Sequence, residues 1–254
     1  MENSDQRSSS LKKGTFPEYM KVKLISYSQP PKSADIDLAN AQELVAYCAR
    51  VSNPANQNNK KTSTKLLEYL IKHKHWSPFE MVSVCLEVET TRDIARQFLR
   101  HRSFSFQEFS QRYADPTEDL EFVTRECRLQ DEKNRQNSIE IEKDPSIQLD
   151  LHKQQLITDW QRRQHGIINQ AKECYKWAVE NGIAKEQARA VLPEGLTISR
   201  LYVNGTLRSW IHYVELRSAN GTQKEHMQIA DMCGDVIAEV FPLNKKYNAI
   251  FNPG

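Results

Sequence analysis

The chain has 254 residues, with 35 Lys and Arg against 33 Asp and Glu and a formal net charge of +2. That near-balance excludes a protein that lives on bulk nucleic-acid electrostatics, which needs a strong basic excess. The eight glycines, at 14, 166, 182, 195, 205, 221, 234 and 254, fit neither GxGxxG nor GxxxxGK(S/T), so a fingerprinted Rossmann site and a P-loop are both out and any phosphate must be held by side chains.

Residues 1–18, rich in Ser and Lys, read as a flexible tail, and 19–254 as one domain. Lys21–Tyr27 alternates as a half-buried strand and is closed by Pro30 and Pro31. Asn40 with Glu43 three residues on resembles a capping box for a helix through Leu44, Val45 and Cys48. Leu66, Leu67, Leu70 and Ile71 form the stripe of a second helix that ends near His73. Val82, Val84, Leu86 and Val88 alternate with Ser83, Cys85, Glu87 and Glu89, the clearest strand in the chain. A short helix over 93–99 runs into an arginine-rich stretch. Residues 115–150 hold eleven acidic and five basic side chains and read as a solvated insertion, part helix and part loop. Leu156, Ile157, Trp160, Ile167, Ile168, Ala171, Tyr175 and Ala178 give a long amphipathic helix that ends at Asn181 and Gly182. Helices over Leu207–Arg217 and 225–240 follow, the second stopped by Pro242. The fold class is α+β: a single domain with a central, mostly antiparallel sheet wrapped by helices and no Rossmann fold.

The five cysteines, at 48, 85, 127, 174 and 233, form no CxxC pair and are odd in number. They read as buried, reduced thiols of a cytoplasmic protein. No run approaches a membrane span, and the polar N-terminus has no signal-peptide core. His73 and His75 have no third ligand at zinc-like spacing, so no metal site is expected.

Residues 91–112 hold five of the sixteen arginines and none of the nineteen lysines. A merely solvated face would mix the two; arginine alone offers a rigid fork for phosphate or carboxylate. Arg100, His101 and Arg102 sit at a helix end, so their side chains diverge. Glu108, Ser110 and Arg112 alternate with Phe109 and Gln111, as if one face of an extended segment lined a pocket. A structural Arg–Glu network at a subunit interface stays open beside phosphate binding. So does a non-catalytic RNA- or nucleotide-binding patch with Phe104, Phe106 and Phe109 as stacking platforms, although the stretch carries a net charge of only +3.

Arg100-His101-Arg102, seven residues and then Ser110 matches the RHRx7S signature of the flavin-dependent thymidylate synthases. Residues 73–80 (HKHWSPFE), 188–193 (ARAVLP), 204–217, and Gln223 with Glu225 resemble further family segments in the right order. The resemblance implies synthesis of dTMP from dUMP, with methylenetetrahydrofolate as carbon donor, FAD as hydride carrier and NADPH as the flavin's reductant. It implies a homotetramer with active sites at subunit junctions, and neither a nucleic-acid nor a membrane partner. By the same resemblance Gln97, Arg100, Glu108, Ser110, Arg112, Arg189 and Arg217 bind dUMP, and Arg217 does chemistry by favouring ionisation of the uracil imide. The positions matching flavin contacts are His75, Ser77, Arg100, His101, Arg102, Glu108, Thr206, Leu207, Arg208 and His212. Asn204, Arg208 and His212 recur every four residues and are expected on one helix face. Ser110 has no general base supplied by the sequence, so it reads as a ligand contact rather than a nucleophile. Met81, Thr206, Gly221 and Thr222 depart from the residues common in the family.

Overall fold

A computed structural model describes residues 17–31, 37–119, 121–141, 151–219 and 221–242. Four antiparallel strands make the main sheet, in the order β1 (Lys21–Tyr27), β2 (Ser83–Thr91), β6 (Ile198–Thr206), β3 (Ser105–Glu108). The centre of the sheet is the nine-residue ladder from Ser83 opposite Thr206 to Thr91 opposite Ile198. Alternation dictates its faces: Val84, Leu86, Val88, Leu201 and Val203 are buried, while Cys85, Glu87, Tyr202 and Asn204 point the other way. β1 carries a bulge between Leu24 and Ser26. Among the described residues no strand pair is parallel, so the sheet lacks the arrangement on which a Rossmann domain depends.

The helices are α1 (Ala41–Ala49), α2 (Ser63–Lys72), α3 (Arg92–Phe98), α4 (Leu151–Glu180), α5 (Lys185–Ala188), α6 (Leu207–Arg217) and α7 (Lys224–Val240). Local chemistry sets several of their ends. The Asn40 side chain accepts from the Glu43 N–H at 3.0 Å, and the Glu43 carboxylate accepts from the Ala39 N–H at 2.7 Å, a close relative of the capping box. α4 closes on Gly182 at φ +80°, with Ile183 N–H donating to Ala178 O and Gly182 N–H to Val179 O, the Schellman pattern that requires a left-handed residue. α6 and α7 pack on the sheet through Trp210, Tyr213, Val214, Ile229, Cys233 and Ile237, all buried. The Trp210 indole N–H donates to Val84 O at 2.9 Å inside that core, which spares it the cost of an unpaired buried donor. A second, smaller cluster joins Tyr175 and Ala178 of α4 to Ala188 and Leu192.

Three expectations change here. Only Cys233 of the five cysteines is buried; Cys174 is exposed, because it falls on the solvent side of α4, and the other three are half-buried. The described part of the 115–150 stretch forms a hairpin of β4 (Arg128–Gln130) and β5 (Ser138–Glu140), and 142–150 lie outside the described residues. This stretch is also packed rather than merely solvated. Arg125 donates to Asp93 at 2.6 Å and to Gly195 O at 3.0 Å, and its backbone N–H donates to Gln164 of α4 at 2.7 Å. Of the expected tail, residues 1–16 lie outside the described residues.

Candidate active site

α3 ends at Phe98 because its side chain must enter the core, where it stacks on Tyr213 with ring centroids 4.4 Å apart. The chain then turns: His101 N–H donates to Phe98 O and Phe104 N–H to His101 O. That turn lies along α6 and is tied to it at two points. Near the helix start the Ser209 hydroxyl donates to Ser103 O at 3.3 Å. At its far end Arg217 Nε donates to His101 Nε2 at 2.9 Å. His101 must therefore be the neutral tautomer with its proton on Nδ1. Burial and then the Arg217 charge push its pKa down from 6.5 to about 4, so it accepts this bond throughout the neutral range.

The guanidinium of Arg217 is thus held by an uncharged ring. Among the described residues no carboxylate lies within ion-pair distance of Arg217, Arg100, Arg102 or Arg189. Arg100 and Arg102 are exposed, and Arg189 is half-buried at the end of α5. Unpaired guanidiniums of this kind suit anionic oxygens supplied from outside the chain.

Four other arginines of the predicted site and its surroundings are committed. Arg92 and Arg96 both pair with Glu108 (3.5 and 3.6 Å) and with Glu194 (3.8 and 3.4 Å), and the Ser199 hydroxyl donates to Glu108 at 3.0 Å. Arg112 pairs with Glu186 at 3.5 Å, and Arg208 with Glu80. A structural Arg–Glu network and unpaired, ligand-ready arginines therefore coexist in one stretch.

Gln97 leaves α3 beside the Arg217–His101 pair. Its Nε2 donates to Gln223 Oε1 at 2.8 Å, and its Oε1 faces His226 Nδ1 at 3.2 Å. His226 is fully buried between Phe98, His101 and Tyr213. Burial first, then Arg217 and His101, depress its pKa to about 3. Sequence reading missed His226. The signal was present: it opens the stripe 226, 229, 230, 233, 237 that α7 buries, so a histidine there had to be buried and neutral.

A second group lies toward the start of α6. Thr206 caps the helix, accepting from Ser209 N–H at 3.3 Å. Trp76 meets His212 edge-on at 4.5 Å, and Tyr69 stacks obliquely on His73 at 4.2 Å with His75 beyond. Lys74 takes φ +59°, which ends α2 and swings His75 and Ser77 out to solvent.

Four readings of the site are corrected. Asn204 is on β6, opposite Cys85 and Ser105, because the strand runs to Thr206; only Arg208 and His212 share the helix face. The extended segment stops at Phe109, and a turn follows in which Tyr113 N–H donates to Ser110 O, so Glu108, Ser110 and Arg112 do not form one continuous face. Phe104 is 8% exposed and packs on Trp210 at 4.6 Å, and half-buried Phe106 packs on Phe98 and Phe104; apolar packing has taken these two of the three rings that base stacking would use. Leu207 is fully buried and its N–H is spent on Val82 O, so its side chain offers no contact to a ligand.

Within one chain, Gln97, His101 and Arg217 come together around His226, while the bonds of Glu108, Ser110 and Arg112 join them to other neighbours. Ser110 Oγ accepts only from the Arg112 N–H, at 3.4 Å, and meets no base among the described residues.

The family described as thymidylate synthase complementing protein matches residues 36–243. The probable flavin-dependent thymidylate synthase of Paramecium bursaria Chlorella virus 1 is 48% identical, over 88% of this chain and 96% of that protein. The flavin-dependent thymidylate synthase of Synechocystis sp. is 45% identical over the same shares. The fold is that of a UMP/dUMP methylase, PolB from Streptomyces cacaoi, solved with 5-Br dUMP: TM-score 0.68 and 24% identity, over 89% of this chain and 93% of that one.

Proposed function

Since the chain belongs to the flavin-dependent thymidylate synthase family, we propose that it makes dTMP by reductive methylation of dUMP. Methylenetetrahydrofolate is the carbon donor, FAD the flavin and NADPH its reductant. FAD, when bound, carries the hydride. The protein's own residues bind the nucleotide, aim it and stabilise charge.

The observation that carries this reading is the state of the arginines. Arg217 is oriented by a neutral imidazole at 2.9 Å and keeps an undivided positive charge. Placed against the uracil, that charge stabilises negative charge developing on a ring oxygen and favours loss of the imide proton. The ring then needs no protein nucleophile, which agrees with the surroundings of Ser110. Arg100 and Arg189, free of carboxylates, bind the anionic end of dUMP, and Gln97 supplies a neutral contact. Glu108, Ser110 and Arg112 act from a neighbouring subunit; their separate contacts within one chain support that division. For the flavin, Arg102 with Arg100 suits the diphosphate. Exposed His75 and Ser77 and half-buried His212 offer an aromatic-rich wall, Thr206 and Arg208 border it, and Leu207 contributes by shaping the helix start. The donor set fits an anionic dinucleotide with a flat ring.

The assembly is a homotetramer with the active sites between subunits. The cysteines are all free, the state expected in a reducing cytoplasm. No helix among the described residues is long and apolar enough to cross a membrane. The test is the purified protein's colour and turnover. It should carry close to one flavin per chain and form dTMP from dUMP when given methylenetetrahydrofolate and NADPH. A colourless protein that takes up no added FAD would overturn the reading.

A further inference from the structure

Gln97, assigned above to the nucleotide, has an amide that can present either N–H or C=O, and an anionic ligand tolerates only the first. What decides between the two lies outside the site, at the start of α7. Glu225 is 4% exposed. Arg128 donates to its Oε1 at 2.6 Å, and Arg125 lies at 3.4 Å from the same oxygen. Burial favours the protonated acid, but the Arg128 hydrogen bond and the two guanidinium charges outweigh it and hold the carboxyl below its usual range. Glu225 is therefore an acceptor and nothing else.

The rest follows by elimination. Glu225 Oε2 faces the Gln223 amide at 3.0 Å, and a carboxylate can only be met by N–H. Gln223 must then turn its carbonyl outward, to Gln97 at 2.8 Å. Gln97 must answer with its own N–H2, which sends its carbonyl to His226 at 3.2 Å. His226 in turn must carry its proton on Nδ1. Its Nε2 is buried with no hydrogen-bond partner among the described residues, the atom left over once the chain of donors has been assigned.

We propose that Gln223 and Glu225 are positioning residues: the Glu225 carboxylate, through Gln223, locks the Gln97 amide so that its remaining N–H is available to dUMP. Neither residue touches the nucleotide in this scheme. The proposal rests on Gln97 being a nucleotide contact, and the test separates the two ideas.

Gln223 is exposed, so Gln223→Ala removes the link without opening the core. The holoenzyme and three variants, Gln97→Ala, Gln223→Ala and the double variant, are compared for dUMP affinity, kcat, flavin content and melting temperature. Gln223→Ala should raise Kd and KM for dUMP by roughly three- to tenfold, the worth of one hydrogen bond. Flavin content, melting temperature and kcat at saturating dUMP should stay near the parent's. Added to Gln97→Ala, it should cost nothing further, since a positioning residue has nothing left to position. If Gln97→Ala leaves dUMP affinity unchanged, the nucleotide role of Gln97 is wrong and the proposal falls with it. If Gln97→Ala weakens binding and Gln223→Ala does not, or the two add independently, the relay is overturned while the role of Gln97 stands.

Discussion

The role proposed for Arg217 rests on what its side chain faces. Several arginines among the described residues, Arg92, Arg96, Arg112 and Arg208 near the site, spend their charge on a glutamate, and such pairs mute the field that a ligand would feel. Arg217 is instead steadied by His101, which fixes the direction of the guanidinium without neutralising it. Arg217→Ala should lower dTMP formation by about a hundredfold or more, the scale seen when a preorganised charge-stabilising donor is removed. Its melting curve should stay close to the parent's, because the guanidinium is only half-buried; a variant that turned over at the parent rate would remove Arg217 from the chemistry. The two histidines make a second prediction. His101 and His226 titrate at about 4 and about 3 in the folded chain, against 6.5 without these surroundings. Below pH 6.5 the unfolded chain takes up protons that the folded chain refuses, so stability falls as pH drops from about 6.5 toward 4. Urea titrations across that window should show the loss, and His226→Gln, which keeps a donor for Gln97 but cannot titrate there, should make it shallower and leave the share due to His101.

β6 and α6 form one continuous stretch, and their junction places much of the candidate site. Gly205 lies on the buried face of β6 with the Phe104 ring against it. A Cβ built there would stand 2.3 Å from Phe104 Cδ1 and 2.6 Å from Cε1. The ring cannot swing away, since Trp210 and Phe98 close on it from other sides. Gly205→Ala should therefore destabilise the protein by about 1–3 kcal/mol, the usual cost of overpacking, read as a lower urea midpoint at unchanged slope. It should also loosen flavin retention, because Phe104 sits two residues after Arg102. The elements themselves were readable from sequence wherever pattern and punctuation agreed. β1 and α6 have the bounds that alternation and periodicity assign, and α1 begins at the expected cap. Where the chain passes from strand straight into helix, as at Thr206, the four-residue spacing alone put Asn204 on the wrong side of the boundary. Only the ladder with β2 and β3 shows that the strand claims it.

Arg125 ties the molecule together across long sequence distances, joining α3, the loop at Gly195, α4 and α7 by ion pairs and hydrogen bonds. A stretch that reads as solvated by its charge count is thus a packed brace, because charge counts do not say which charges face each other. α4 also leaves apolar surface uncovered: Leu156 and Trp160 are each 40% exposed and Ile167 50%, flanking the stripe the helix buries. In the homotetramer proposed above, another copy is expected to cover such a flank. Ile167→Glu should lower the mass of the assembly in sedimentation, and with it the activity, while the far-ultraviolet spectrum of the chain stays unchanged. An undiminished tetramer would place the subunit contacts on another face.

By itself the sequence determined the class of fold and the family. Alternation and periodicity are local properties, and sparse glycines with clustered arginines restrict how phosphates can be held, so both are legible without coordinates. The tertiary structure alone decided which arginines are spent and which are free. It also decided that Phe104 and Phe106 belong to the core rather than to a ligand, and that a histidine on α7 completes the surroundings of Gln97. The pairing of Arg217 with His101 and of Gln97 with Gln223 and His226 joins residues 116 to 129 apart in sequence, where no local pattern reaches. A charge or an amide takes its role from whatever stands opposite it, and only folding brings the two face to face.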